Sequence, residues 1–193
     1  PLAELRRGDV ALVSGLADAA GSATHDSALL TRLRDLGFTA GARCEVVFET
    51  LVNPGRPIPM PASMVTGITN AMVRAAPTFA EVADGLLAAL AGRVFVAHNA
   101  RFDWTFLTAE LKRVRDLGLN GPRLCTVRLS RRLLPGLRSC GLDSVSHWFG
   151  FENPARHRAG GDALVTAKLL ARLLGLAREA GARTLADLAS LEA

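Results

Sequence analysis

The sequence predicts an α/β fold. Short apolar runs at residues 94–97 and 124–127 alternate with helical stretches of amphipathic spacing from Phe79 onward, the pattern of strands buried between helices. Apolar residues make up 49% of the chain and charged residues 21%, a globular rather than a disordered composition. A length of 193 residues suffices for one well-buried domain, or for one domain with an appendage.

Taken in order, residues 9–16 (DVALVSGL) alternate and then run apolar, which predicts a strand. Small residues over 17–26 predict a loop. Leu29, Leu30, Leu33 and Leu36 then recur at helical spacing, with Asp26 placed to cap the start and Gly37 the end. Residues 41–52 predict a second strand, stopped by Asn53-Pro54-Gly55, and the proline-rich stretch 54–61 predicts a surface connection. Phe79, Val82, Leu86, Leu87 and Leu90 form one face of a helix. Residues 94–97 predict a short strand, followed by a helix over 101–117 with Phe102, Phe106 and Leu107 facing inward. A strand at 124–127 follows, then helices at 131–134, 142–150 and 162–174 and a helical tail over 177–193.

Charge is unevenly distributed. The net charge is +5, and 21 of the 23 basic residues are arginine. Residues 1–47 sum to −1 and the remainder to +6, which suits a polyanionic partner for the second part. Cys44, Cys125 and Cys140 are an odd number at wide spacing. They match no metal-ligand or disulfide pattern and predict a reducing, cytoplasmic setting. No apolar run approaches the roughly 18–20 residues of a membrane span, and no secretory leader is expected from the first residues.

Two segments carry chemistry. His98-Asn99-Ala100-Arg101-Phe102-Asp103 follows the strand at 94–97, and His157-Arg158-Ala159-Gly160-Gly161-Asp162 precedes a long apolar helix. Each places an Asp at the start of a helix, where free amides and the helix dipole favour the ionised form. Oriented carboxylates suit a hard cation such as Mg²⁺ or Mn²⁺. On one continuous helix His157 and Asp162 would diverge by roughly 140°, so the Gly160-Gly161 pair is expected to turn the backbone and let both face one cleft.

Together these motifs resemble the proofreading 3′→5′ exonucleases of the histidine-type DEDD class, the DNA polymerase III epsilon-like family, over residues 48–175. FETLVNPGRPIP resembles a family strand and its turn. Thr66-Gly67-Ile68-Thr69 resembles the loop that contacts the terminal nucleotide. HNARFD and HRAGGD resemble the second and third exonuclease motifs. The resemblance implies a ribonuclease H-like exonuclease fold, a mixed sheet flanked by helices, acting on nucleic-acid 3′ ends, DNA before RNA, with a DNA polymerase as a possible partner. It implies two divalent ions (Mg²⁺ or Mn²⁺), Asp103 and Asp162 as their ligands, and His157 as the general base. Thr66, Gly67, Ile68, His98, Asn99 and Phe102 become the expected substrate contacts, with Trp104 packed close by.

The family's first motif, an Asp-x-Glu on the first strand, has no counterpart: the chain contains no Asp-x-Glu anywhere. The nearest position is Leu16-Ala17-Asp18, and Asp9, Asp18 and Glu49 are the substitutes on offer, with Asp18 the expected additional metal ligand. Residues 1–47 resemble instead the small SH3-like domain of ferrous-iron-transport accessory (FeoA-like) proteins, through Arg32-Leu33-Arg34-Asp35-Leu36-Gly37 and Ala40-Gly41-Ala42-Arg43. The expected organisation is a partial FeoA-like segment over 1–47, standing in place of the first two exonuclease strands, joined within a strand to an exonuclease domain over 48–193. A non-catalytic nucleic-acid or polymerase-associated module, and an iron-transport adapter acting through residues 1–47, are the alternative classes.

Overall fold

A computed structural model describes residues 10–12, 43–45, 48–152 and 157–193. Strand β1 (Val10–Leu12) pairs antiparallel with β2 (Arg43–Glu45), Ala11 opposite Cys44. The expected helix over 27–36 lies outside the described residues. Residues 48–52 form no strand; an isolated bridge joins Asn53 to Thr78. The chain is held there by Phe48, whose ring lies so close to Gly85 that a Cβ at that glycine would sit 3.0 Å from Cε2.

The proline-rich connection is shorter than expected. Helix α1 (Met60–Thr66) starts directly after Pro59, with a proline in its first turn, and ends on Gly67 in the left-handed conformation (φ 68°). Proline lacks an amide that the first turn leaves unpaired in any case, so it starts a helix as readily as it marks a loop. A short helix α2 (Asn70–Val73) is capped by Thr69. Helix α3 (Phe79–Leu90) begins where the Glu81 carboxylate accepts from the Thr78 amide at 2.7 Å.

The strand–helix–strand unit that positions the site follows. Strand β3 (Phe95–Ala97), helix α4 (Ala100–Arg115) and strand β4 (Arg123–Cys125) form a parallel crossover, with Val96 opposite Leu124. Arg115 ties α4 to α3 through Asp84 at 3.1 Å. Helix α5 (Thr126–Leu133) starts at Thr126 rather than at 131, and α6 (Leu142–Trp148) follows. Helix α7 (Ala159–Glu179) is longer than the predicted 162–174, and α8 (Leu185–Leu191) closes the described chain.

Leu124, Leu129, Leu134, Val145, Val165, Leu169, Leu170, Leu173 and Leu174 form the core between β4, α5, α6 and α7. The α7 residues recur at three and four, so one stripe of this 21-residue helix meets the core. Each fully buried leucine contributes about 1.5–3 kcal/mol. One expectation is overturned. Phe102 and Phe106 do not face inward; they are 59% and 58% exposed and pack on each other, ring centroids 4.7 Å apart. Among the described residues β3 is paired on one edge only, by β4.

Candidate active site

The site gathers at the C-terminal end of β3. The chain leaves the strand through His98 and turns into α4 at Asn99, which caps the helix in a left-handed conformation (φ 71°). Asparagine tolerates that region better than most residues. Asp103 then falls in the first turn of α4, half-buried, and burial pushes its carboxyl above the usual range.

The second carboxylate, Asp162, lies in the first turn of α7. Its charge acts on the His98 ring at the end of β3, the strand against which α7 packs. His157 precedes α7, is exposed, and itself adopts a left-handed backbone (φ 60°). The change of direction therefore occurs at His157, not at the glycine pair, which lies inside the first turn of α7. A non-glycine residue held there stores on the order of 1–3 kcal/mol. Gly160 has another consequence: a Cβ on it would lie 3.4 Å from Oε1 of Glu49. Glu49 thus stands beside Gly160, the residue two positions before Asp162, a neighbourhood that sequence spacing does not reveal.

His98 departs from its expected place among the substrate contacts. Nδ1 lies 2.9 Å from the Thr126 hydroxyl, and Nε2 lies 2.9 Å from the Cys140 carbonyl oxygen. Both ring nitrogens are spent inside the protein, leaving none for a ligand. The Thr66 hydroxyl is likewise committed, donating to Ala62 O at 2.8 Å and accepting from the Ile68 amide at 3.2 Å. Gly67 and Asn99 are exposed, and Ile68 is half-buried. Trp104 meets Phe95 edge-on at 5.4 Å and carries the Arg123 guanidinium 5.0 Å above its ring. Asp9 and Asp18 lie outside the described residues.

Asp103 and Asp162 are the carboxylates that α4 and α7 bring to this end of β3. Among the described residues no three His, Cys, Asp or Glu side chains converge as a metal cage. Mg²⁺ is commonly held by one or two carboxylates, with water and substrate phosphate oxygens completing the shell. Asp103 and Asp162 are donors of the kind such an ion takes, and among the described residues no third carboxylate, His or Cys joins them to make the expected pair of ion sites.

The arrangement of strand, two helix starts and HNARFD and HRAGGD motifs has a match. The sequence model of the exonuclease family fits residues 38–170, more than half of the chain. The chain belongs to the exonuclease family. A FeoA-domain model fits residues 1–54, so the two matches overlap from 38 to 54. The chain is 42% identical over 140 residues to a DNA polymerase III subunit epsilon-like protein of Rhodobacter capsulatus, covering 72% of this chain and 20% of that protein. It is 38% identical over 127 residues to the DNA polymerase III subunit epsilon of Aquifex aeolicus, covering 66% and 63%. The chain therefore spans less than two thirds of these relatives. The solved structure of exonuclease X in complex with 5′ overhanging duplex DNA superposes with a TM-score of 0.55 at 30% identity, covering 74% of this chain and 79% of that one. The exonuclease member has the ribonuclease H-like fold expected for it, helix-rich, with two separate two-stranded sheets among the described residues in place of the expected mixed sheet. Among the described residues no helix is long and apolar enough to cross a membrane.

Proposed function

We propose that the chain is a 3′→5′ exonuclease that removes nucleotides from DNA 3′ ends, slowed by the loss of the Asp-x-Glu pair. The observation that carries this is the position of Asp103 and Asp162 in the first turns of the two helices that meet β3, with His157 just ahead of the second. Mg²⁺ or Mn²⁺, when bound by Asp103 and Asp162, supplies charge stabilisation to the phosphoryl oxygens. His157 accepts the proton of the attacking water at its imidazole. Phe102 offers an exposed ring to a terminal base, and the backbone of Gly67 and Ile68 borders the same 3′ end. His98 and Asn99 act by fixing the turn from β3 into α4.

The same proposal places an exonuclease domain over 48–193 and a partial FeoA-like segment over 1–47, supported by the two family matches and their overlap. The relatives' names support association with a DNA polymerase, and the cysteine pattern supports a cytoplasmic setting. The test is nucleotide release from 3′-labelled single-stranded DNA with Mn²⁺. Release is expected from the native chain and not from Asp162→Asn or His157→Ala. Release that survives both substitutions overturns the assigned site. Binding of 3′ ends without any release would make the chain a non-hydrolytic module.

A further inference from the structure

The two hydrogen bonds of His98 pin both ends of one excursion of the chain. Thr126 opens α5 and Cys140 precedes α6, and the ring touches each at 2.9 Å. Residues 126–140 between them read TVRLSRRLLPGLRSC: four arginines and no acid, so this stretch carries +4 of the chain's net charge of +5. Helix α5 sorts these residues by face. Thr126, Leu129 and Ser130 are fully buried against the core, while Arg128, Arg131 and Arg132, at i, i+3 and i+4, are exposed on one ridge. Arg138 in the following loop is exposed as well. Among the described residues Arg131, Arg132 and Arg138 have no carboxylate partner, and only Arg128 lies in the field of one, Glu192.

We propose that this arginine ridge is a docking surface for the phosphate backbone of the nucleic acid behind its 3′ end. The inference rests on the nucleic-acid reading above. Three guanidiniums without counter-charges of their own, beside Arg128, complement a polyanion, and arginine forks match phosphate oxygens. The eight residues of α5 rise about 12 Å, against about 3.4 Å of helix axis per phosphate on one strand. The ridge itself, Arg128 to Arg132, rises about 6 Å and so fits roughly two successive phosphates. Because His98 also closes β3, the ridge is tied to the end of the strand at which Asp103 and Asp162 gather.

The experiment is fluorescence anisotropy of the whole chain with a 3′-recessed DNA duplex in EDTA, repeated across a salt series. The native chain is expected to bind with a steep salt dependence. The double variant Arg131→Ala/Arg132→Ala should lower the slope of log K against log salt by about 2, roughly one for each lost phosphate contact. Arg131→Lys/Arg132→Lys should keep most of that slope. Arg113→Ala, which removes a residue paired with Glu110 at 2.6 Å in the last turn of α4, should leave it unchanged. If the native chain binds and the double alanine variant keeps the native slope, the ridge is overturned and the exonuclease reading stands. If the native chain shows no binding at low salt, both fall.

Discussion

The Thr126 hydroxyl lies 2.9 Å from Nδ1 of His98, on a ring whose Nε2 lies 2.9 Å from the Cys140 carbonyl oxygen. A carbonyl only accepts, so Nε2 carries the proton and Nδ1 accepts from Thr126 in the neutral ring. Burial holds the imidazole below its ordinary value of 6.5, against the opposing pull of the Cys140 carbonyl and the Asp162 charge. One side chain thereby joins β3, α5 and the approach to α6.

The sign of the pH dependence follows. A base with a depressed folded value stays neutral in the fold while the unfolded chain takes up a proton, so stability is full above about 6.5 and declines as pH falls below it. Thermal unfolding followed from pH 8 to pH 5 should show this decline. In His98→Gln that component should vanish. Thr126→Val should cost about 1–3 kcal/mol at pH 8, because it leaves a half-buried acceptor without its donor. A pH profile identical in the native chain and His98→Gln would refute the assignment.

Asp103 is expected to trade stability for function. Burial raises its carboxyl, so the folded chain resists the ionisation that the unfolded chain accepts near 3.8. Its contribution is best below the unfolded value and is lost as pH rises through the folded one. Asp103→Asn should therefore raise the melting temperature at pH 7 by on the order of a few degrees, with the difference closing toward pH 4, while 3′-nucleotide release disappears. A lower melting temperature at pH 7 would count against the burial argument.

These two side chains also show what was legible in the sequence. The HNARFD and HRAGGD spacings placed Asp103 and Asp162 at helix starts, because first-turn acids and the apolar stripes behind them are local signals. Helices α3 and α6 were visible for the same reason. The bonds of His98 to residues 28 and 42 positions away are not local, and neither is the approach of Glu49 to Gly160. Helix α1 was hidden because its prolines read as a loop. The inward assignment of Phe102 and Phe106 followed aromatic character at helical spacing, and it fails because periodicity shows which residues share a face, not whether that face is packed.

The exposed phenylalanines make a separate prediction. Buried Phe→Ala changes cost about 3–5 kcal/mol, but Phe102 and Phe106 are more than half exposed. Each alanine variant should cost under about 1.5 kcal/mol by urea denaturation, of which the ring pair itself accounts for about 0.5–1.5 kcal/mol. Phe102→Ala should nonetheless weaken binding of a single-stranded 3′ end by about 1–3 kcal/mol, the usual worth of a base on an aromatic face. A large stability loss without a binding loss would show the ring to be packing rather than a platform.

The end of the described chain makes the last. Oε1 of Glu192 accepts from the Cys125 amide at 2.5 Å, just where β4 becomes α5. The carboxylate thus serves a free amide at a helix start for which no side chain of α5 itself provides. Burial raises its carboxyl more than the Cys125 amide, Arg128 and Arg123 lower it. Glu192→Ala should cost about 1–3 kcal/mol, since the Cys125 amide belongs to a buried residue and loses its acceptor. Glu192→Gln, which keeps an acceptor oxygen, should recover most of this at pH 7. Because Cys125 is a buried free thiol, the loosening has a direct readout: its modification by a thiol reagent under native conditions should accelerate in Glu192→Ala and return toward the native rate in Glu192→Gln. Equal rates in all three chains would mean that α8 does not hold this corner.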